Sequence, residues 1–184
     1  MPATLHDLLT ILDLDRIDDN VFRGRSPRTS LQRVFGGQVL AQALMACGAT
    51  VTPERHVHSL HAYFVRGGDT AVPIAYLVEP VREGRSFSTR RVVAHQHGRP
   101  IFQMSASFQI TEPGLEHQDP APEVIDPELL PTLVERAETS EQAWPSNPLE
   151  WAAIDVRPVD PARPDQVWLR AAGQMPDDPL LHAA

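Results

Sequence analysis

Residues 34–44 read VFGGQVLAQAL: two glycines stand where a helix begins, and almost everything after them is apolar. From Val39 to Val51 there is no charged side chain. A helix apolar nearly all round is buried on most sides. One helix can be buried that way when a curved antiparallel sheet wraps it. Glycines at its mouth then serve in two ways: they let the backbone approach a neighbouring strand closely, and they leave amide N–H groups uncovered at the N-terminus. Those amides, with the helix dipole behind them, suit a developing oxyanion on a carbonyl. Close helix–sheet packing with no ligand accounts for the same spacing equally well.

The sequence on either side fits a wrapping sheet. After the helix come VHSLHAYFV (57–65), PIAYLVEPV (73–81), FSTRRVVAHQ (87–96) and PIFQMSASFQI (100–110), separated by the Gly-containing segments RGGD, REGRS and HGR. Long runs rich in Val, Ile, Phe, Tyr and Thr between short glycine turns predict an antiparallel meander. A strand of ten residues spans about 33 Å, enough to cover a helix. Upstream, Leu5, Leu8, Leu9 and Leu12 repeat at helical spacing, predicting a short helix over 4–14, and Asn20–Arg25 reads as a first strand. The fold class is α+β.

Residues 113–150 are acidic and proline-rich, and read as a linker with one helix around Glu128–Glu138. Two more strands are expected over 151–159 and 165–173. PDDPLLHAA then reads as the first turn of a further helix, with Asp at its entry. The expected domains are 1–112, a linker over 113–150, and an incomplete sheet over 151–184.

Composition narrows the function class. Of the 184 residues 42% are hydrophobic and 22% charged, ordinary for a globular protein. No run of about 18 apolar residues predicts a membrane span. The N-terminus lacks the basic start and cleavage site of a secretory signal, and one cysteine, Cys47, excludes an internal disulfide; a cytoplasmic protein is expected. The net charge is −8, but residues 1–110 hold 12 Arg against 9 acids and residues 111–184 hold 4 Arg against 15. There is no lysine. Arginine makes bidentate contacts to phosphate, so the first half suits a phosphorylated ligand, although an all-Arg, Ala- and Pro-rich composition is also the mark of a GC-rich genome.

In order, VFGGQVLAQAL, VHSLHAYFVRGGD, EPVREGRSFSTRRVVAHQHGRPIF and MSASFQ resemble the first half of the acyl-CoA thioesterase II (TesB-like) family. The likeness runs to about Gln109 and resumes at VRPVDP (156–161) and QVWLRAAGQMPDD (166–178). It implies a hot-dog fold, an antiparallel sheet wrapped around a central helix, as the first half of a double hot-dog. It also implies hydrolysis of fatty acyl-CoA to free acid and CoA by a water that a carboxylate activates. In that family the Asp lies on the second hot-dog's central helix, which here would continue past residue 184. Asp177 and Asp178 match the segment before that helix and are not the catalytic Asp. The alternative is a non-catalytic acyl-CoA-binding or assembly half, completed by a second hot-dog chain or by a copy of itself. No cofactor, metal or nucleic-acid partner is expected.

The candidate substrate-binding residues are Gly36, Gly37, Gln38, Arg66, Ser86, Phe87 and Arg90, and the catalytic candidate is His58. Regular alternation puts His58 and His61 on opposite faces of their strand, His58 with Leu60, Ala62 and Phe64. That spacing argues against a shared metal site. Arg66, Arg85, Arg90 and Arg91 are candidates for coenzyme A phosphates. Ser86 and Ser88 lack the surroundings of a serine nucleophile, with no GxSxG elbow in the chain.

Overall fold

The computed structural model describes residues 2–139, 148–160 and 163–184. They form two compact units, one of residues 9–112 with 176–184, the other of residues 1–8 with 113–175. Helix α1 (Leu5–Leu12) runs across the division of the chain. It opens on a reciprocal cap: the Asp7 amide donates to Thr4 Oγ1, and the Thr4 amide to Asp7 Oδ2.

The first unit contains β1 (Asp15–Asp18), β2 (Val21–Gly24), α2 (Gly36–Gly48), β3 (Arg55–Phe64), β4 (Ile74–Glu83), β5 (Phe87–Gln96) and β6 (Arg99–Ile110). The strands make a six-stranded antiparallel sheet in the order β1-β2-β4-β5-β6-β3. β5 and β6 alternate as half-buried strands should. Ser88, Arg90, Val92, Ala94 and Gln96 point inward, as do Phe102, Met104, Ala106 and Phe108. These side chains close over α2, whose Val39, Ala43, Leu44, Ala46 and Cys47 complete the core with Phe22, Ile74, Tyr76 and Val78. The hairpin between β5 and β6 turns on His97 and Gly98, at φ 49° and 69°, the left-handed pair that a two-residue turn requires.

The sequence reading misses one strand. β1 (DRID) is a short polar edge strand carrying one apolar residue, so it shows no hydrophobic alternation. In the other unit β7 (Ile154–Asp160) and β8 (Arg163–Ala171) pair antiparallel. Helix α3 (Leu133–Thr139) packs against β7. The helix expected over 128–138 divides into a single 3-10 turn, Pro127–Leu129, and α3. Pro131 forces the break, because proline disfavours helical backbone in the residue before it. The stretch read as a linker is also divided. Residues 113–124 carry no regular structure. From Ile125 onward the chain is bonded to the hairpin: Trp168 Nε1 donates to the Ile125 carbonyl, and Arg157 to those of Pro127 and Leu130. Asp155 accepts from both Arg157 and Arg170 there. Helix α4 (Pro179–Ala183), back in the first unit, is capped by Asp178, and its Leu180 lies against Gly48 of α2.

Candidate functional site

The mouth of α2 has no side-chain cap. Phe35 precedes the helix in extended conformation, and its side chain makes no capping hydrogen bond. The two glycines make room for aromatic rings. A Cβ on Gly36 would lie 3.0 Å from the Phe64 ring, and one on Gly37 2.5 Å from the ring of Phe35. Phe64 remains 60% exposed and meets Phe102 edge-on. Beside the mouth is a cavity of about 360 Å³ whose walls include Arg33, Gly36, Val39, Phe64, Arg66 and Gly68. Among the described residues no Asp or Glu lines it.

The wall formed by residues 66–68 is held from behind. Gln96 is buried at the end of β5; its Oε1 accepts from the Asp69 amide, and its Nε2 donates to the carbonyls of Asp69 and Val72. The Gly68 carbonyl accepts from the Val34 amide, and Arg66 Nη1 donates to the Pro100 carbonyl at 2.7 Å. The Asp69 carboxylate is held below its ordinary range by the Ala71 amide and then by His97.

The two glutamines of the helix lie one turn apart and hold the same strand end. Gln38 Nε2 donates to the Arg25 carbonyl and to Ser26 Oγ. Gln42 is fully buried; its amide donates to the carbonyls of Ile11 and Arg25, and its oxygen accepts from Tyr76 Oη. Gln42 occupies the space that a side chain at Gly24 would fill.

The other predicted site residues lie elsewhere. His58 is not on the face of Leu60, Ala62 and Phe64. Val57 pairs with Phe108 and Ser59 with Ser107, so His58 is the extra residue of a β-bulge. The bulge turns His58 to the outer face, where it bonds Ser107 Oγ at 2.9 Å and meets the Phe87 ring edge-on. His61 is on that same face, beside Tyr63 and Ser105. His58 is six residues along β3 from Phe64, about 20 Å from the helix mouth. Ser86 and Phe87 share the His58 end of the sheet, and Ser86 Oγ donates to Glu112. Arg90 is 3% exposed and faces inward. Its five N–H groups go to Thr50 Oγ1, the carbonyls of Arg82, Thr89 and Thr50, and Glu83, which leaves no donor for a ligand phosphate. Arg91 is outside, paired with Glu79. Ser88 donates to Glu83, whose carboxyl is held below its usual range by that bond first and by Arg90 next.

Of the predicted set only Gly36 and Arg66 thus line this cavity; Gly37 and Gln38 follow Gly36 in the helix, with the Gln38 side chain bonded to Arg25 and Ser26. Arg33 and Phe64 join them, and Gln96 holds the wall from behind, without having been singled out in the sequence. Arg33 precedes the motif that attracted notice, while Phe64 and Gln96 sit at strand ends, where only the pairing partner reveals a role. Among the described residues no group of three His, Cys, Asp or Glu side chains is placed to hold a metal.

Residues 25–109 match the sequence profile of the acyl-CoA thioesterase N-terminal domain. In structure the chain is similar to an acyl-CoA thioesterase II from Mycobacterium marinum, with a TM-score of 0.76 and 39% identity, over 96% of this chain and 63% of that one. The chain is similar to TesB-like acyl-CoA thioesterases. Its sheet and enclosed helix are a hot-dog fold. A TesB protein of Mycobacterium avium subspecies paratuberculosis superposes over 98% of the chain, with a TM-score of 0.79 and 29% identity, covering 66% of that protein. Human acyl-coenzyme A thioesterase 8 is 40% identical over 94% of this chain and 61% of its own length. Acyl-CoA thioesterase 2 of Haemophilus influenzae is 48% identical over 70% of this chain and 45% of its length. The chain therefore spans about half to three-fifths of these two relatives.

Proposed function

We propose that this chain is the first hot-dog of an enzyme that hydrolyses fatty acyl-CoA to free acid and coenzyme A. The observation that carries the reading is the open mouth of α2, with its glycines and cavity, in a chain similar to acyl-CoA thioesterases. The thioester carbonyl oxygen takes the amides of Gly36 and Gly37, which stabilise the charge that develops as water adds to the carbon. Gln38 fixes the mouth by holding Arg25 and Ser26, and Arg66 faces the substrate from the opposite wall. The attacking water gives its proton to a carboxylate, and the coenzyme A thiolate leaves as the carbonyl re-forms. That carboxylate is not among the described residues lining the cavity. It is expected from a second hot-dog, which would sit on the unpaired edge of β3, where Leu60, Tyr63 and Phe64 are exposed. Oligomerisation and a cytoplasmic location belong to the same reading; the buried, unpaired Cys47 suits a reducing compartment.

His58, Ser86, Phe87 and Arg90 have no part in this chemistry, by distance for the first three and by saturation for the last. The absence of a carboxylate from the cavity wall favours a second reading, in which the 184-residue chain binds acyl-CoA without hydrolysing it. The deciding measurement is release of coenzyme A thiol from a medium-chain acyl-CoA by this chain, beside binding of the same compound. Release well above a heat-killed control supports catalysis by residues present here. Binding without release supports the second reading, and neither binding nor release overturns both.

A further inference from the structure

Arg33 is the least explained side chain of the helix-mouth cavity. It is exposed, and among the described residues it makes no hydrogen bond or ion pair. Yet it has a defined course. A Cβ on Gly67 would lie 2.7 Å from Arg33 Cδ and 3.1 Å from Nε, so the arginine stem passes directly over a residue that has no side chain. Gly67 does not have positive φ, so its backbone does not call for glycine; the space above it does. Arg66 stands in the same cavity wall with one nitrogen engaged by the Pro100 carbonyl. Two guanidinium groups therefore border one opening that no carboxylate of the described residues lines, in a chain whose formal net charge is −8. The cavity at the far end of α2, by contrast, is lined by Asp177 and Asp178 beside Arg55.

We propose that Arg33, laid across Gly67, is the residue that holds the phosphate-bearing end of coenzyme A at the rim of this cavity. The proposal rests on the acyl-CoA reading above and adds to it the recognition of the anionic part. A fatty acyl-CoA carries its negative charge on its phosphates alone; the acyl chain, thioester and pantetheine arm are neutral. A cation on the rim therefore recognises the phosphates and not the acyl chain. Arginine presents planar donors that match phosphate oxygens, and ligands of opposite charge are drawn to such a rim in a salt-dependent way.

The test is calorimetric titration of the 184-residue chain with coenzyme A, with adenosine 3′,5′-bisphosphate and with pantetheine, at low and high salt. Arg33→Gln removes the charge. Gly67→Ala displaces the stem while keeping the arginine, and a flexible side chain can move aside without unfolding the protein. Both variants should melt as wild type does. Arg33→Gln is expected to weaken coenzyme A and the bisphosphate about tenfold, the usual loss of one charge-assisted bond, and to leave pantetheine unchanged. Gly67→Ala should lose part of the same affinity, and both variants should show a smaller salt dependence. Coenzyme A binding within twofold of wild type in Arg33→Gln overturns the proposal and leaves the acyl-CoA reading standing. Equal losses for pantetheine also overturn it, because the residue would then be shaping the pocket. Wild-type protein that binds none of the three overturns the acyl-CoA reading and this proposal together.

Discussion

Gly24 and Gln42 show how tightly single residues of the core are specified. A Cβ on Gly24 would sit 2.4 Å from the Gln42 carboxamide oxygen, and that carboxamide is fully buried with three partners. Gly24→Ala is expected to cost about 2–3 kcal/mol in urea unfolding, the range of an overpacked core. Gln42→Leu leaves Tyr76 Oη and the Ile11 carbonyl without this partner, while the Arg25 carbonyl keeps Gln38, and should cost at least about 2 kcal/mol. Cys47 behaves oppositely to a reactive thiol: burial pushes it up to about 12. A thiol reagent at pH 8 should label nothing in the native chain and one group per chain once guanidinium unfolds it; rapid native labelling would contradict the packing. The glycine pair at 36 and 37 was legible as a helix mouth, because few other arrangements place two glycines before an uncharged helix. The purpose of the glutamines was not, since a glutamine holding a distant carbonyl looks in sequence like one facing a ligand.

At the level of elements, the long strands β4, β5 and β6 declared themselves through their length and glycine turns. What sequence could not supply was register. One extra residue in β3 turns His58 from the core face to the outer one, where His61 already lies, and no local signal separates a bulge from a regular strand in RHVHSLHAYF. The β7–β8 hairpin carries its own electrostatic prediction. Asp155 is largely buried and bonded first to Arg157, then to Arg170, which holds its carboxyl below the ordinary 3.8. A depressed folded value means that the stabilisation is complete above the unfolded value and disappears as pH falls through the folded one. Asp155→Asn should therefore cost about 2 kcal/mol at pH 7 and progressively less below about pH 4. All three tryptophans, Trp144, Trp151 and Trp168, lie in residues 113–175, so intrinsic fluorescence follows this unit's unfolding separately. A variant equally destabilised at pH 7 and pH 3 would show that the ion pairs are not the cause.

For the whole molecule, the free edge of β3 is the feature with the widest reach. β3 ends the sheet, so its second edge pairs with no described strand, and Tyr63 and Phe64 remain 58% and 60% exposed along it. Such an edge invites pairing with another strand. The 184-residue chain is expected to associate in light scattering. Tyr63→Lys together with Leu60→Lys should shift it toward monomer while its far-ultraviolet dichroism stays the same. A wild-type chain that is monomeric at high concentration would sink the pairing. Two sets of strands separated by an acidic stretch are plain in composition. Where the second unit begins is not, because the bonds joining Ile125–Leu130 to β7 and β8 connect residues about thirty to forty positions apart.

The bulge at His58 also has a genetic consequence. On one side of it Val57 lies on the inner face of the sheet, opposite Phe108, and on the other Leu60 lies on that face opposite Ala106, at the exposed edge. A chain lacking His58 would run Val57, Ser59, Leu60 in unbroken alternation, with each remaining side chain on the face it already occupies. Loss of that single codon should therefore be far milder than loss of the codon for His61, which would turn Ala62 and Phe64 outward. In this strand the residue first suspected of catalysis is the one that an in-frame deletion can best remove.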